Sequence, residues 1–312
     1  MKRVLLPLVV VMGLVGDTTN HASTAALATS PIITSWLSNI STRALVQTGD
    51  NVMIGGFIVQ GSLPKRVIIR ALGPELTPFG IADPLADPTL ELHDGTGALI
   101  ASKDNWVRTI IGDIITSDQV AEIRDSGYAP GDVREPAMIV DLPPGNYTAI
   151  VRGVNDTTGV ALVEAYDLAT GIDSTLGNIS TRAFVQTEDN VMIGGFIVGG
   201  TQSKRVIVRA IGPSLTQYGV FDTLADPTLE LHDGTGALIA SNDNWPTTII
   251  GGIITENQVR DIINSGLAPG NRNESAIIAT LPPGNYTAIV SGVNDTIGVA
   301  LVEVYDLDMR AF

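Results

Sequence analysis

The amino-acid sequence contains the same segment twice, and this repeat constrains the fold more than any other feature. Residues 39–168 align with residues 178–307 at a constant offset of 139, without insertion or deletion. About 95 of the 130 aligned positions are identical, which marks a tandem array. A surface that acts by being presented many times gains from each added copy, whereas a catalytic site is normally built once. The repeat therefore favours a non-catalytic structural, adhesive or binding protein over an enzyme.

Residues 1–28 have the pattern of a secretory signal peptide. Lys2 and Arg3 precede an apolar run of about a dozen residues, and Ala26 and Ala28 fit the positions that a signal peptidase reads. Cleavage after Ala25 is an alternative. The apolar run is shorter than the roughly 20 residues that cross a bilayer. The sequence therefore predicts a secreted protein, extracellular or at the cell surface, without membrane insertion.

The net charge limits the classes of partner that the protein can bind, and the absence of cysteine limits how the fold can be stabilised. The formal net charge is −15, so nucleic acid and anionic membrane surfaces would repel the protein, whereas divalent cations would not. The chain contains no cysteine, and 44% of its residues are hydrophobic. Without disulfides, each copy must be stabilised by an apolar core.

Each copy is expected to fold mainly into β-strands. Short runs rich in Val, Ile, Thr and Tyr alternate with Gly, Pro, Asn and Asp turns, at 52–59, 66–72, 89–93, 98–102, 137–142, 146–153 and 160–166. Thr116 and Gln119 have capping-box spacing and Gly127 can end a helix, which predicts one short helix per copy. The expected fold class is all-β, with two tandem jelly-roll-like β-sandwich domains at 39–168 and 178–312, joined by a linker at 169–177.

Several motifs resemble a known repeat. The strings at 39–43 (NISTR), 50–57 (DNVMIGGF), 70–74 (RALGP), 104–106 (DNW) and 159–167 (GVALVEAYD) resemble a repeat of secreted and surface proteins from environmental bacteria. The second half of each copy is also similar to the bacterial pre-peptidase C-terminal type of β-sandwich. The resemblance implies a location and an architecture, but no activity. This sequence departs from the repeat at residues 109–115, where an apolar insert lies between the tryptophan and the helix.

The aspartates near the predicted hairpin of each copy are candidate calcium ligands. Carboxylate, amide and backbone oxygens converging from two loops suit a hard cation. The candidate ligands are Asp94, Asp104 and Asn105 in the first copy and Asp233, Asp243 and Asn244 in the second. Turn capping by the same side chains is the alternative, because Asp and Asn stabilise turns without any ion. Calcium is the only cofactor that the sequence suggests.

Two further sets of residues have a structural and a functional interpretation. Charged residues inside apolar strands predict an ion pair between Arg70 and Glu164, and between Arg209 and Glu303. Trp106 and Trp245 follow Asp-Asn and could stack on a sugar ring of an extracellular polysaccharide, or could anchor a loop. No catalytic residues are predicted, because after residue 28 each copy has one histidine and it lies in poor geometry for a triad.

The segment at 29–38 is more apolar than the linker at the corresponding position of the second copy. Ile32, Ile33, Trp36 and Leu37 form an apolar set on an extended segment. Such a strand either folds back onto its own chain or completes a sheet in a neighbouring molecule. The second option predicts self-association into a head-to-tail extracellular filament. A module that binds carbohydrate or another extracellular polymer is the alternative function.

Overall fold

The computed structural model describes residues 35–169 and 171–308. The predicted signal peptide and residues 29–34 lie outside the described residues. The first repeat contains β1 (Ser35–Val46), β2 (Met53–Gly61), β3 (Lys65–Leu72), β4 (Pro88–Asp94), β5 (Leu99–Lys103), α1 (Val120–Asp125), β6 (Ala137–Leu142), β7 (Gly145–Gly153) and β8 (Gly159–Asp167). The second contains β9 (Ser174–Val185), β10 (Met192–Gly200), β11 (Lys204–Ile211), β12 (Pro227–Asp233), β13 (Leu238–Asn242), α2 (Val259–Asn264), β14 (Ser275–Leu281), β15 (Gly284–Gly292) and β16 (Gly298–Asp306).

The antiparallel pairings arrange these strands in two sheets of eight. One sheet has the order β6-β3-β8-β1-β10-β15-β12-β13. The other has the order β14-β11-β16-β9-β2-β7-β4-β5. Two parallel bridges between β1 and β9 connect the sheets at the centre. The prediction of an all-β sandwich fold is confirmed.

Each repeat has the strand order of a jelly roll. In the first repeat, one four-stranded half-sheet is β1-β8-β3-β6 and the other is β2-β7-β4-β5. The second repeat has the same order with its own strands. Along β2, buried and partly exposed residues alternate, as expected of a strand with one face on the core. The alternation is one of burial and not of residue type, because the partly exposed positions of β2 include Ile54 and Ile58.

The two repeats share both sheets, because each contributes its first two strands to the other's sheets. β1 pairs with β10, and β9 pairs with β2. One hydrophobic cluster contains residues of both repeats, including Leu37, Phe57, Phe196 and Val304. The sequence repeats at 39–168 and 178–312 therefore share one apolar core. The strand pattern within each repeat does not predict these contacts between the two repeats.

At the centre of the molecule, β1 and β9 are related by a pseudo-twofold axis. The hydroxyls of Thr42 and Thr181, which are equivalent residues, lie 2.7 Å apart and are fully buried. The linker predicted at 169–177 is shorter in the structure, because β9 begins at Ser174 and β1 likewise begins at Ser35. The ends of the linker and of the amino-terminal segment are thus parts of long central strands.

Each repeat contains the one short helix that the sequence predicts, but α1 begins at Val120 with Gln119 as its N-cap, so the predicted capping box from Thr116 is wrong. The helix covers a small apolar cluster on the face of the sheet that points away from the main core. Ile123 of α1 is fully buried against Ile68 and Ile139. Gln119 fastens the helix to β6, because its amide exchanges hydrogen bonds with the backbone of Ile139. No helix among residues 35–169 and 171–308 is long and apolar enough to span a membrane.

Candidate functional site

Asp94 and Asp233 each stabilise the turn of a hairpin. One carboxylate oxygen of Asp94 accepts hydrogen bonds from the Thr96 amide and hydroxyl at 2.8 and 2.6 Å and from the Ala98 amide at 3.1 Å. These bonds hold the pKa of Asp94 below its ordinary value, with the Thr96 hydroxyl as the largest cause. Asp233 makes the same bonds. Turn capping therefore accounts for both side chains.

The structure does not bring the predicted calcium ligands together. The prediction that Asp94 and Asp104 converge is wrong, because β4 pairs with β5 in a register that places them at opposite ends of the hairpin. Asp104 instead lies near Asp87. Burial raises the pKa of Asp87, and the charge of Asp104 adds to the effect. Among the described residues, no group of three or more His, Asp or Glu side chains is arranged to hold a metal ion.

The remaining predicted ligands follow the same geometry. Asn105 donates a hydrogen bond to the adjacent Asp104 at 3.0 Å. In the second repeat, the charge of Asp243 acts on Asp226, at the end of the hairpin away from Asp233. Asn244 directly follows Asp243. Calcium binding itself stays a prediction, and its predicted ligand set is divided between two separate places in each repeat.

Trp106 and Trp245 pack on the apolar cluster beneath each helix. Trp106 contacts the cluster that contains Ile68 and Ile123, and Trp245 contacts the equivalent cluster. The indole of Trp245 donates to the backbone oxygen of Asn271 at 3.0 Å. Both rings are partly buried, so the structure favours the loop-anchor interpretation over a sugar platform.

Each repeat contains the Arg–Glu ion pair that the sequence predicts. Arg70 and Glu164 are neighbours on β3 and β8, and their side chains are 2.6 Å apart. The guanidinium also donates to the backbone oxygen of Tyr128 at 2.8 Å, and the hydroxyl of Tyr166 donates to Glu164 at 2.7 Å. Arg209 and Glu303 form the equivalent pair. These charges are satisfied within the fold, which assigns them a structural role.

A buried acid, Glu135, with a partly exposed acid, Glu75, beside it distinguishes the first repeat from the second. Glu135 is fully buried and accepts the backbone amides of Gly73 and Glu75 at 2.8 and 2.9 Å. Burial, with a contribution from the nearby carboxylate of Glu75, raises the pKa of Glu135 to about 7. In the second repeat, Ser214 replaces Glu75 and its hydroxyl donates to Glu274 at 2.7 Å. The first repeat therefore lacks a donor that the second has.

This acid pair predicts a loss of stability as the pH rises. Because the folded-state pKa of Glu135 lies above its unfolded value, its contribution is fully present below about pH 4.5 and is lost as the pH rises through about 7. Within this window the loss is about 1 kcal/mol per pH unit. The Glu75→Ser variant should flatten this dependence. Urea unfolding of both proteins between these pH values measures the difference, and parallel curves would contradict the assignment.

Exposed isoleucines form an apolar patch at each end of the sandwich. The first end patch, at β5 and the loop that follows it, consists of Leu99, Ile110, Ile111 and Ile114; the second, at β13 and the loop that follows it, consists of Leu238, Ile249, Ile250 and Ile253. Each of these side chains is at least 42% exposed. Ile111 and Ile250 are the most exposed in their patches, at 63% and 64%. Several exposed apolar side chains on one strand and its adjoining loop are typical of an interaction surface.

The loops that carry the end patches have a defined conformation. In the first repeat, Gly112 and Ile115 exchange backbone hydrogen bonds of 2.9 Å, and Ile115 is buried in the main core. The Ile114 amide donates to Ile100 on the edge strand β5 at 3.4 Å. The second repeat repeats the arrangement with Gly251 and Ile254. The patches are therefore built into the fold. The apolar insert at 109–115 is visible in the sequence, but the sequence does not show that its isoleucines are exposed.

The residues predicted to mediate assembly at the amino terminus do not form an exposed apolar surface where the structure describes them. Leu37 is fully buried, and β1 pairs through Trp36 and Leu37 with Gly199 and Val198 of the same chain. The strand thus folds back, and onto the second repeat rather than the first. Ile32 and Ile33 lie outside the described residues. An intermolecular role for this segment stays a prediction without support from the described strand.

Comparisons with known proteins add no family. No family model matches the chain. A match of 25% identity over 192 residues to the DNA-directed RNA polymerase subunit beta' of Micrococcus luteus covers 55% of this chain, which spans only 14% of that subunit. Among solved structures, a DUF4785 family protein from Legionella pneumophila has a TM-score of 0.23 at 11% identity, covering 93% of this chain and 70% of its own. The major capsid protein P2 of bacteriophage PM2 has a TM-score of 0.17 at 10% identity, covering 86% and 100%. Likeness this weak carries no functional argument.

Proposed function

We propose that the protein is a secreted, non-catalytic structural or adhesive protein whose molecules associate end to end into extracellular filaments. The observation that carries this proposal is the presence of the same exposed apolar patch at both ends of the sandwich. Secretion rests on the signal-peptide pattern of residues 1–28. The occupant proposed for each end patch is the end patch of a second copy.

The geometry favours a chain over a closed dimer. β5 and β6 lie at one extreme of the two sheets, and β13 and β14 lie at the other. A molecule with one adhesive patch at each of two opposite ends forms open assemblies, because joining one end leaves the other free. The patch residues carry no charge, so they can be buried in a contact even though the net charge is −15. Salt should strengthen the association, since it screens repulsion between the acidic bodies.

Substitution of one patch or both patches tests this proposal by stoichiometry. Ile111→Asp alone or Ile250→Asp alone should limit assembly to dimers, because each variant retains one adhesive end. The double variant should be monomeric, since burying an unpaired carboxylate in an apolar contact is very costly. Sedimentation velocity and negative-stain electron microscopy of the protein lacking residues 1–28 measure the assemblies.

Ile297→Asp is the matched control, because Ile297 is 55% exposed and lies outside both patches. It should assemble as the unsubstituted protein does. A protein that remains monomeric at concentrations up to roughly 100 μM, well above a micromolar Kd, would refute the proposal. Assembly that survives the double substitution would assign the contact to another surface, such as the amino-terminal segment at 29–34.

A further inference from the structure

A pocket with a volume of about 700 Å³ lies at the junction between the repeats. One wall comes from β2 of the first repeat, through Ile58 and Gln60. The rest of the lining comes from β9, β11, α2 and the end of β16 in the second repeat, and includes Asn178 and Arg205. Because β9 is the sheet neighbour of β2, Ile58 and Asn178 lie side by side on the same sheet. Sites for small molecules commonly have volumes of roughly 300–1,000 Å³. The pocket exists because the repeats share their sheets.

Two amide oxygens of this pocket are buried and have no hydrogen-bond partner. They are Oε1 of Gln60 and Oδ1 of Asn178. The Asn178 side chain is already hydrogen-bonded to the hydroxyl of Tyr305, which in turn donates to Glu303 at 2.8 Å. This chain of bonds fixes the orientation of the Asn178 amide. A buried acceptor without a donor costs about 1–3 kcal/mol, so a ligand that donates to both oxygens would recover that cost.

The charges that surround the pocket balance one another. Arg205 and Asp261 form an ion pair of 3.0 Å at the rim, and Lys204 pairs with Asp306 at 2.7 Å on the adjoining strand. A cationic ligand would find no free carboxylate in these pairs. An anionic ligand would meet two carbonyl oxygens. The pocket therefore suits a neutral ligand that supplies hydrogen-bond donors.

The two halves of the molecule differ in the residues that lie beside this pocket. The difference leaves space for the pocket in the second half. In the first half, Trp36 lies opposite Gly199, where an added Cβ would be 2.7 Å from the indole ring. In the second half, Thr175 takes the place of Trp36 and lies opposite Gln60. Gly177 makes room for Gln60, because a Cβ there would be 2.3 Å from the glutamine side chain. A small residue thus stands where the other half has an indole.

We propose that this junction pocket binds a neutral saccharide of one or two sugar units. Its hydroxyls would donate to the free oxygens of Gln60 and Asn178, and the ion pair at the rim would contact further hydroxyls. Ile58 and Leu267 offer an apolar wall for the carbon–hydrogen face of the ring. A saccharide combines these two surfaces on one uncharged molecule. The proposal is independent of end-to-end association.

Titration with free sugars tests the proposal. Saturation-transfer NMR and calorimetry would use glucose, galactose, N-acetylglucosamine and their disaccharides with the protein lacking residues 1–28. We expect saturable binding of at least one of them. The double variant Gln60→Gly/Thr175→Trp copies the Trp36–Gly199 arrangement into the pocket and should weaken this binding at least about tenfold, which is about 1.4 kcal/mol.

Arg205→Ala should also weaken binding, whereas Arg66→Ala, at the equivalent position of the first repeat, should not. Thermal melting of each variant verifies that it is folded. The absence of binding by every sugar at about 10 mM, above the usual range of weak ligands, would overturn the proposal. The proposal would also be overturned if the variant Gln60→Gly/Thr175→Trp bound sugars as the unsubstituted protein does. A preference for spermidine or citrate over sugars would overturn it as well.

Discussion

A chain that contains only one repeat is expected to dimerise rather than fold as a stable monomer. In the intact protein, β1 pairs with β10 and β2 pairs with β9, so an isolated repeat has two long unpaired edges and an open core. Two copies can restore the missing pairs by the same edge-to-edge pairing, because the repeats are nearly identical at these strands. The result would be an isologous dimer in place of the pseudo-twofold molecule.

The two repeats should differ in how tightly they dimerise. A dimer of the second repeat places Thr175 opposite Gly199, which fits. A dimer of the first repeat places Trp36 opposite Gln60, which crowds a position where Trp36 normally faces glycine. We expect the second repeat to dimerise at least about tenfold more tightly, a difference of about 1.4 kcal/mol.

Light scattering coupled to gel filtration measures these dimers, using residues 35–169 and 171–308 as separate chains. An equimolar mixture should form the mixed dimer in preference to either homodimer, because only that pair reproduces all the native contacts. The substitution Gln60→Gly should improve the dimer of the first repeat. A stable folded monomer of either repeat would show that the shared core is dispensable.

Removal of the buried Lys65 charge is expected to destabilise the protein by roughly 3–5 kcal/mol. The Lys65 ammonium donates to Asp167 and to the backbone oxygen of Ala169, each at 2.8 Å. The two side chains are only 1% and 3% exposed. Lys65→Met would leave the Asp167 carboxylate buried without a counter-charge. Chemical unfolding monitored by circular dichroism gives the free energy of unfolding.

The second substitution in a double variant distinguishes charge from packing. Lys65→Met/Asp167→Asn removes both charges and keeps an oxygen that can accept the Ala169 amide, which now bonds to Asp167 at 2.8 Å. It should be more stable than Lys65→Met alone. Arg134→Met, which breaks an exposed ion pair with Asp132, should cost less than about 1 kcal/mol. If the double variant were no more stable than Lys65→Met, lost packing would explain the effect.

Local sequence patterns predicted one of the candidate sites correctly and another incorrectly. The Arg70–Glu164 pair was predictable, because two charges within apolar strands have few ways of being satisfied. The calcium hypothesis placed Asp94 and Asp104 together, although a strand of five residues separates their ends of the hairpin. The direction in which a side chain points from a turn depends on strand register, which the sequence of one loop does not specify.

The sequence by itself determined the all-β class, the jelly-roll-like sandwich, the short helix and the equivalence of the repeats, because turn residues and alternating apolar positions act over a few neighbouring residues. Only the tertiary structure decided that the repeats pair with each other through their first two strands, that Trp36 fills one side of the junction while the other stays open, and that isoleucine loops lie at both ends. These features arise from pairing between residues more than 100 positions apart. Local propensity is the same whichever edge strand becomes the partner, so burial of the shared core selects the pairing.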